Sequence, residues 1–148
     1  MKRRLFIDRK DARRCDDVTG MAQLSVDLKP KRCDSEVYIN HKMDVTNLVK
    51  YIKDQKDSGN HLTYFHAFMA LFGRVLYNRP MLNRFVANRH VYEHNIISIG
   101  FVMKVAFDDK SEEIMVVMPI EENDNIITIG KKISDKVDSV RNKKDTGK

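Results

Sequence analysis

Apolar residues are most densely and most regularly placed between Leu62 and Asn83, LTYFHAFMALFGRVLYNRPMLN. Leu62, Phe65, Phe68, Met69, Phe72, Leu76 and Tyr77 recur at helical spacing, over a stripe broad enough for burial on more than one face. Ala67, Ala70 and Gly73 lie between them, where a sheet or a second helix can approach closely. Thr63 is placed to cap the first turn, its hydroxyl accepting from an orphan backbone N–H. Pro80 stops the run, because it has no N–H and disfavours helix at Arg79. Such a helix, about 25 Å long at roughly 1.5 Å per residue, needs a sheet to lie on.

Strand-like and helix-like patterns flank it. Residues 1–20 are charged and irregular, with one apolar patch at Leu5 to Ile7, and Met21 to Leu28 fits either a helical turn or an extended piece. Pro30 breaks that stretch. Ser35 to Asp44, SEVYINHKMD, alternates, with Val37, Ile39, His41 and Met43 facing one way and Glu36, Tyr38, Asn40 and Lys42 the other, which predicts a strand. Asp44 or Thr46 can cap a helix over Val45 to Lys56, whose stripe is Val45, Leu48, Val49 and Ile52 and whose solvated face carries Lys50, Lys53 and Lys56. Asp57 to Asn60 form a loop.

After Pro80 the pattern shortens. Arg84 to Ala87 and Arg89 to Tyr92 read as strands around a turn at Asn88. Ile96 to Phe107 is apolar on both faces, which places it inside a sheet. Glu113 to Ile120 is a further strand, with Pro119 favouring an edge or exit position. Asn123 to Asn125 break the chain, and Ile126, Ile129, Ile133, Val137 and Val140 mark a last helix. There is no internal repeat. The order β-α-α-β-β-β-β-α predicts an α/β protein of α+β two-layer type.

The composition narrows the class. A chain of 148 residues, 42% hydrophobic and 32% charged with no Trp, suits one soluble domain of ordinary size, or part of a larger one, in the cytoplasm. No apolar run approaches the roughly 20 residues of a membrane span, so no membrane partner is expected. The opening MKRRLFIDRK has no apolar core behind its basic residues and does not read as a signal peptide. The net charge of +6 is concentrated at the ends, which suits solvated arms or an anionic partner. Aromatics are not interleaved with the basic residues, so nucleic acid is not the expected partner. Cys15 and Cys33 match no metal or redox spacing and read as reduced thiols.

Few residues suggest chemistry. His90-Val91-Tyr92-Glu93-His94 matches H-x-x-E-H, a zinc-peptidase pattern that works only on a helix. Here it is β-branched and aromatic, and on a strand the two imidazoles stand about 13 Å apart at roughly 3.3 Å per residue, so no metal site is expected. His66, beside Phe65 and Phe68, reads first as a satisfied core or interface histidine and second as a pocket residue. Tyr38 reads first as a surface tyrosine and second as a cleft residue. His41 and His61 adjoin polar sequence and are expected in solvent. Gly100 reads as a close backbone approach in a packed strand. No G-x-S-x-G, P-loop or dinucleotide fingerprint is present.

An ordered set of segments carries a resemblance. DVTNLVKYIKD at Asp44 to Asp54, LTYFHAFMALFGRVLYNRPMLNRFV at Leu62 to Val86, VYEHNIISIGFVM at Val91 to Met103, and VVMPI followed by an Ile-spaced helix form one series. Together they resemble the chloramphenicol-acetyltransferase-like fold, and within it the catalytic domain of the dihydrolipoamide acyltransferases of 2-oxo acid dehydrogenase complexes. The resemblance spans about Ser35 to Val140. It implies a mixed sheet covered by helices and a homotrimer with active sites between subunits. It also implies acyl transfer between a thioester of coenzyme A or a lipoyl arm, as substrate, and a thiol or hydroxyl acceptor. No covalently bound cofactor is implied. A His acts there as general base and a hydroxyl donor stabilises the oxyanion. That family's H-x-x-x-D-G motif is missing: no His of this chain is followed four residues on by Asp. The chain is therefore expected to hold a basic arm, residues 1–34, and the first, incomplete half of such a catalytic domain, residues 35–148. No catalytic residue is assigned, and Tyr38 and His66 are the candidates to line a thioester channel. The alternative is a non-catalytic binding or assembly module on the same scaffold.

Overall fold

The computed structural model describes residues 3–29, 31–106 and 108–145. The expected break at Pro30, the end of the expected strand at Phe107, and residues 1–2 and 146–148 of the basic ends lie outside them. The chain forms two compact units, Met1–Asp44 with Asn78–Ile96, and Val45–Tyr77 with Ile97–Lys148.

The first unit is built on an antiparallel hairpin. Strands β2 (Arg84–Ala87) and β3 (His90–His94) pair with Arg84 opposite Glu93 and Phe85 opposite Tyr92. They turn through Asn88 and Arg89, whose φ values of 49° and 61° are the two positive angles that a tight hairpin of right-handed twist requires. A third strand, β1 (Ala12–Arg14), adds antiparallel to the other edge of β3. β1 falls in the stretch read as irregular. It is only three residues, Ala-Arg-Arg, with no alternation to show it, and the free edge of β3 recruits it. Helix α1 (Gly20–Leu28) settles the open choice at Met21 to Leu28, with the Thr19 hydroxyl accepting from the Ala22 N–H at 3.4 Å.

Before β1 the chain is knotted around a buried carboxylate. Asp8 accepts from the Arg4 backbone at 2.8 Å, from Arg4 Nη2 at 2.9 Å and from the Arg14 N–H at 3.1 Å. The Arg4 guanidinium, followed by its backbone N–H, holds this carboxyl well below the usual range. Phe6 sits at the tip of the turn thus closed, with φ of 68° and its ring in solvent.

The expected strand over Ser35 to Asp44 is not formed. A 3-10 turn occupies Arg32–Ser35, Glu36 leaves it extended, and residues 36–45 form no regular element and have no partner strand among the described residues. The alternation is present, but a strand exists only through its ladder, and both faces of this segment are open.

In the second unit, α2 (Thr46–Asp57) begins one residue later than read, with Val45 at the N-cap. Thr46 is already inside the helix, and Val45 at the N-cap makes no side-chain capping bond. Helix α3 (Tyr64–Asn78) matches the reading: Thr63 Oγ1 accepts from the His66 N–H at 3.4 Å, and the helix ends before Pro80, which opens a 3-10 turn over Pro80–Asn83. Strands β4 (Ser98–Lys104) and β5 (Glu113–Pro119) form an antiparallel hairpin with Phe101 opposite Val116. Helix α4 (Ile126–Asp145) is capped by Asn125, whose Oδ1 accepts from the Ile127 and Thr128 N–H groups at 2.9 and 3.0 Å. The core is Met118, Ile120, Ile129 and Ile133, with Met69, Ala70, Tyr77, Ile99 and Phe101 packed on it. Phe65 meets Phe101 edge to face at 5.2 Å between centroids.

Two expectations of burial need correction. Ile96 to Phe107 was expected inside a sheet; β4 pairs with β5 alone among the described residues, and Val102, Met115 and Val117 lie exposed on the outer face. Helix α3 was expected to be covered on more than one face; Tyr64, Leu71, Phe72 and Val75 are exposed. In both cases the sequence specifies two apolar faces, and the unit covers one. The architecture is α+β: four helices and two small antiparallel sheets among the described residues, in place of one mixed sheet.

Candidate functional site

A cluster of charged side chains lies in the first unit, around Arg84 at the start of β2. Its guanidinium spans Asp17 Oδ2 at 2.9 Å and Glu93 Oε2 at 3.3 Å. The second contact follows from the hairpin register, which sets Arg84 and Glu93 directly opposite. Arg84 in turn holds the Asp17 carboxyl below its ordinary range.

Beside it opens a cleft of about 460 Å³, lined by Arg14, Cys15, Asp17, Arg84, Glu93 and His94 among others. Cys15 is fixed by its N–H donating to the Val91 carbonyl at 2.9 Å. Burial pushes its thiol up, and the Arg84 charge pulls it down by less. The thiol is therefore held in its protonated form, which is a poor nucleophile. His94 stacks on Phe85 at 4.3 Å, Phe85 stacks on Tyr92 at 5.7 Å, and Arg9 covers both phenyl rings at 5.6 and 5.9 Å. By strand alternation these rings lie on the face of the sheet opposite Arg84 and Glu93, and the cation and rings close that face. Carboxylates and guanidinium groups balance around the cleft, and their ion pairs tie the segment after β1 to β2 and β3.

The opposite side of Arg84 faces a larger, open groove of about 1090 Å³. Val26 of α1 with Phe85 and Val86 of β2 give it apolar walls, and Lys29, Lys31, Arg84 and Arg89 line it with positive charge against the single carboxylate of Glu36. Such a groove suits a ligand with both apolar and anionic parts.

Neither residue singled out from the sequence lines either cleft. Tyr38, in the first unit, is exposed and donates from its hydroxyl to Glu36 Oε2 at 2.6 Å, a bond that raises its pKa. His66, in the second unit, is buried in α3. A methyl group on Gly130 would lie 3.2 Å from its Nδ1, and that nitrogen has no hydrogen-bond partner among the described residues. Burial lowers the His66 pKa and keeps the ring neutral. It is a core histidine, but an unsatisfied one. His90 and His94 both lie on β3, the geometry in which H-x-x-E-H separates its imidazoles. Among the described residues no three His, Cys, Asp or Glu side chains are placed to hold a metal ion, and no helix is long and apolar enough to cross a membrane.

The Arg84 cluster escaped the sequence reading. Its one visible signal was the predicted hairpin: once the turn is taken as Asn88-Arg89 rather than Asn88 alone, Arg84 and Glu93 fall opposite each other. The contacts with Asp17 and Cys15 have no local signal, since they are brought in by β1. Compared with family models, with curated proteins and with solved structures, the chain matches none.

Proposed function

We propose that this chain is the scaffold part of an acyltransferase of the chloramphenicol-acetyltransferase-like kind, moving an acyl group between a thioester of coenzyme A or a lipoyl arm and a thiol or hydroxyl acceptor. One observation carries the reading. Helices and hairpins occur where the segments that resemble that family call for them: α2 starts directly after Asp44-Val45, α3 spans Tyr64–Asn78 ahead of Pro80, and two hairpins and a long helix follow, while the strand expected ahead of α2 is not formed. In this reaction a His takes the proton from the acceptor, the acceptor attacks the thioester carbonyl, and a hydroxyl donor holds the oxyanion until the thiolate leaves. The H-x-x-x-D-G motif is absent from the sequence, so this reading assigns neither the base nor the oxyanion donor to residues 1–148. The groove with Lys29, Lys31 and Arg89 is where the chain's own side chains would meet the phosphates of a coenzyme A thioester.

The test is a thioester-dependent acyl-transfer assay on the longest reading frame containing this chain, with residues 1–148 as control. Transfer by the long frame and none by the control is the expected result. An inactive long frame lacking H-x-x-x-D-G would overturn the reading and leave the second one, a non-catalytic assembly module. That second reading is favoured by the apolar surface left open on α3 and on the β4–β5 hairpin.

A further inference from the structure

The segment after the 3-10 turn at Arg32–Ser35 has the pattern of a strand and no ladder. Val37, Tyr38 and Ile39 are 79%, 87% and 82% exposed. At Glu36 the backbone is already extended, with φ −73° and ψ 133°. A segment of alternating side chains that is extended at Glu36, and whose N–H and C=O groups make no backbone hydrogen bond among the described residues, is a template for a strand from another chain.

We propose that Glu36–Lys42 becomes a strand on association, pairing antiparallel with the same segment of a second copy about a two-fold axis at Ile39. Charge complementarity selects this occupant. With Ile39 opposite Ile39, Glu36 of each copy lies opposite Lys42 of the other, and Val37 lies opposite His41. Directly opposite side chains stand about 5 Å apart, close enough for both ion pairs. Moving the axis to Asn40 sets Glu36 against Asp44 and loses them. Parallel in-register pairing stacks Glu36 on Glu36 and Lys42 on Lys42. Tyr38 strengthens the chosen register, because its hydroxyl donates to Glu36 and fixes the carboxylate on the face that Lys42 of the other copy reaches. A two-stranded ribbon is marginal by itself, so the dimer is weak and reversible. The pairing does not rest on the acyltransferase reading, and its test measures mass rather than acyl transfer.

Sedimentation velocity of residues 1–148 over a concentration series is the experiment, with circular dichroism confirming that each variant keeps the monomer fold. The expected result is a monomer–dimer equilibrium. Glu36→Lys and Lys42→Glu each weaken it roughly tenfold, since each sets two like-charge pairs across the axis, and the double exchange restores it to within about threefold. Ile39→Glu places two carboxylates face to face and also weakens the dimer. A monomer at every concentration, or a dimer indifferent to Glu36→Lys and Ile39→Glu, overturns the proposal.

Discussion

A methyl group placed on Gly73 would lie 2.8 Å from Cγ2 of Ile120 and 3.1 Å from its Cδ1, so α3 meets the residue after β5 with no side chain between them. Ile120 is a core residue and cannot turn away freely. Gly73→Ala should therefore destabilise the second unit. The helix gains about 1 kcal/mol from losing a glycine, but overpacking costs roughly 1–3 kcal/mol. A net loss of about 1 kcal/mol is expected in urea unfolding, with a larger loss for Gly73→Val. A more stable Gly73→Ala protein would mean that the close approach is absent.

The same contact has a polar half. Tyr77, one turn further along α3, donates its hydroxyl to the Ile120 carbonyl at 2.8 Å. Tyr77→Phe removes this bond and leaves a buried acceptor without a partner. The expected cost is about 1 kcal/mol, read as a lower urea midpoint with an unchanged slope.

These two contacts also show what the sequence could reveal. Gly73 among bulky neighbours marked a place for close approach, and the approach is there. Thr63 and Pro80 marked the ends of α3, because capping and the missing N–H of proline are local effects. The hairpin at Asn88 was legible for the same reason. What was not legible depends on partners distant in sequence. Ser35 to Asp44 has the alternation of a strand but finds no strand to pair with among the described residues. Ala12–Arg14 has no alternation, yet it is a strand because β3 offers an edge. The Arg84 cluster depends on that unexpected strand, and the unsatisfied Nδ1 of His66 depends on the packing against Gly130.

His66 makes a pH prediction. Burial lowers its pKa in the folded chain below the unfolded value of about 6.5. As pH falls, the unfolded chain binds the proton first, so stability is lost from about pH 6.5 downward to the folded pKa. His66→Leu removes both the titration and the orphan nitrogen at similar volume. The variant is expected to be at least as stable as the parent at pH 7 and clearly more stable at pH 5, in thermal unfolding at both values. A parent protein whose melting temperature is equal at pH 7 and pH 5 would count against a buried neutral imidazole.

Asp124 makes the complementary one. It pins the turn between β5 and α4: Asp124 accepts from the Glu121 N–H at 2.8 Å, from Thr128 Oγ1 at 2.9 Å and from Lys132 Nζ at 2.6 Å. Burial opposes its ionisation, but these bonds together prevail and hold the carboxyl below its ordinary range. A depressed carboxyl contributes stability above the unfolded pKa of about 3.9, and that stability is lost as pH falls through the folded value. Asp124→Asn is expected to cost roughly 1–2 kcal/mol at pH 7, because Lys132 loses its charged acceptor. The gap between parent and variant should narrow below about pH 4, where the unfolded chain's carboxylate takes up a proton that the folded one still refuses. The two windows open at different pH: the His66 loss begins below about pH 6.5 and the Asp124 loss only below the usual carboxylate range, so unfolding at pH 7, 5 and 3 tells them apart. A gap between parent and Asp124→Asn that stays constant down to pH 3 would show that the carboxylate is not held by these bonds.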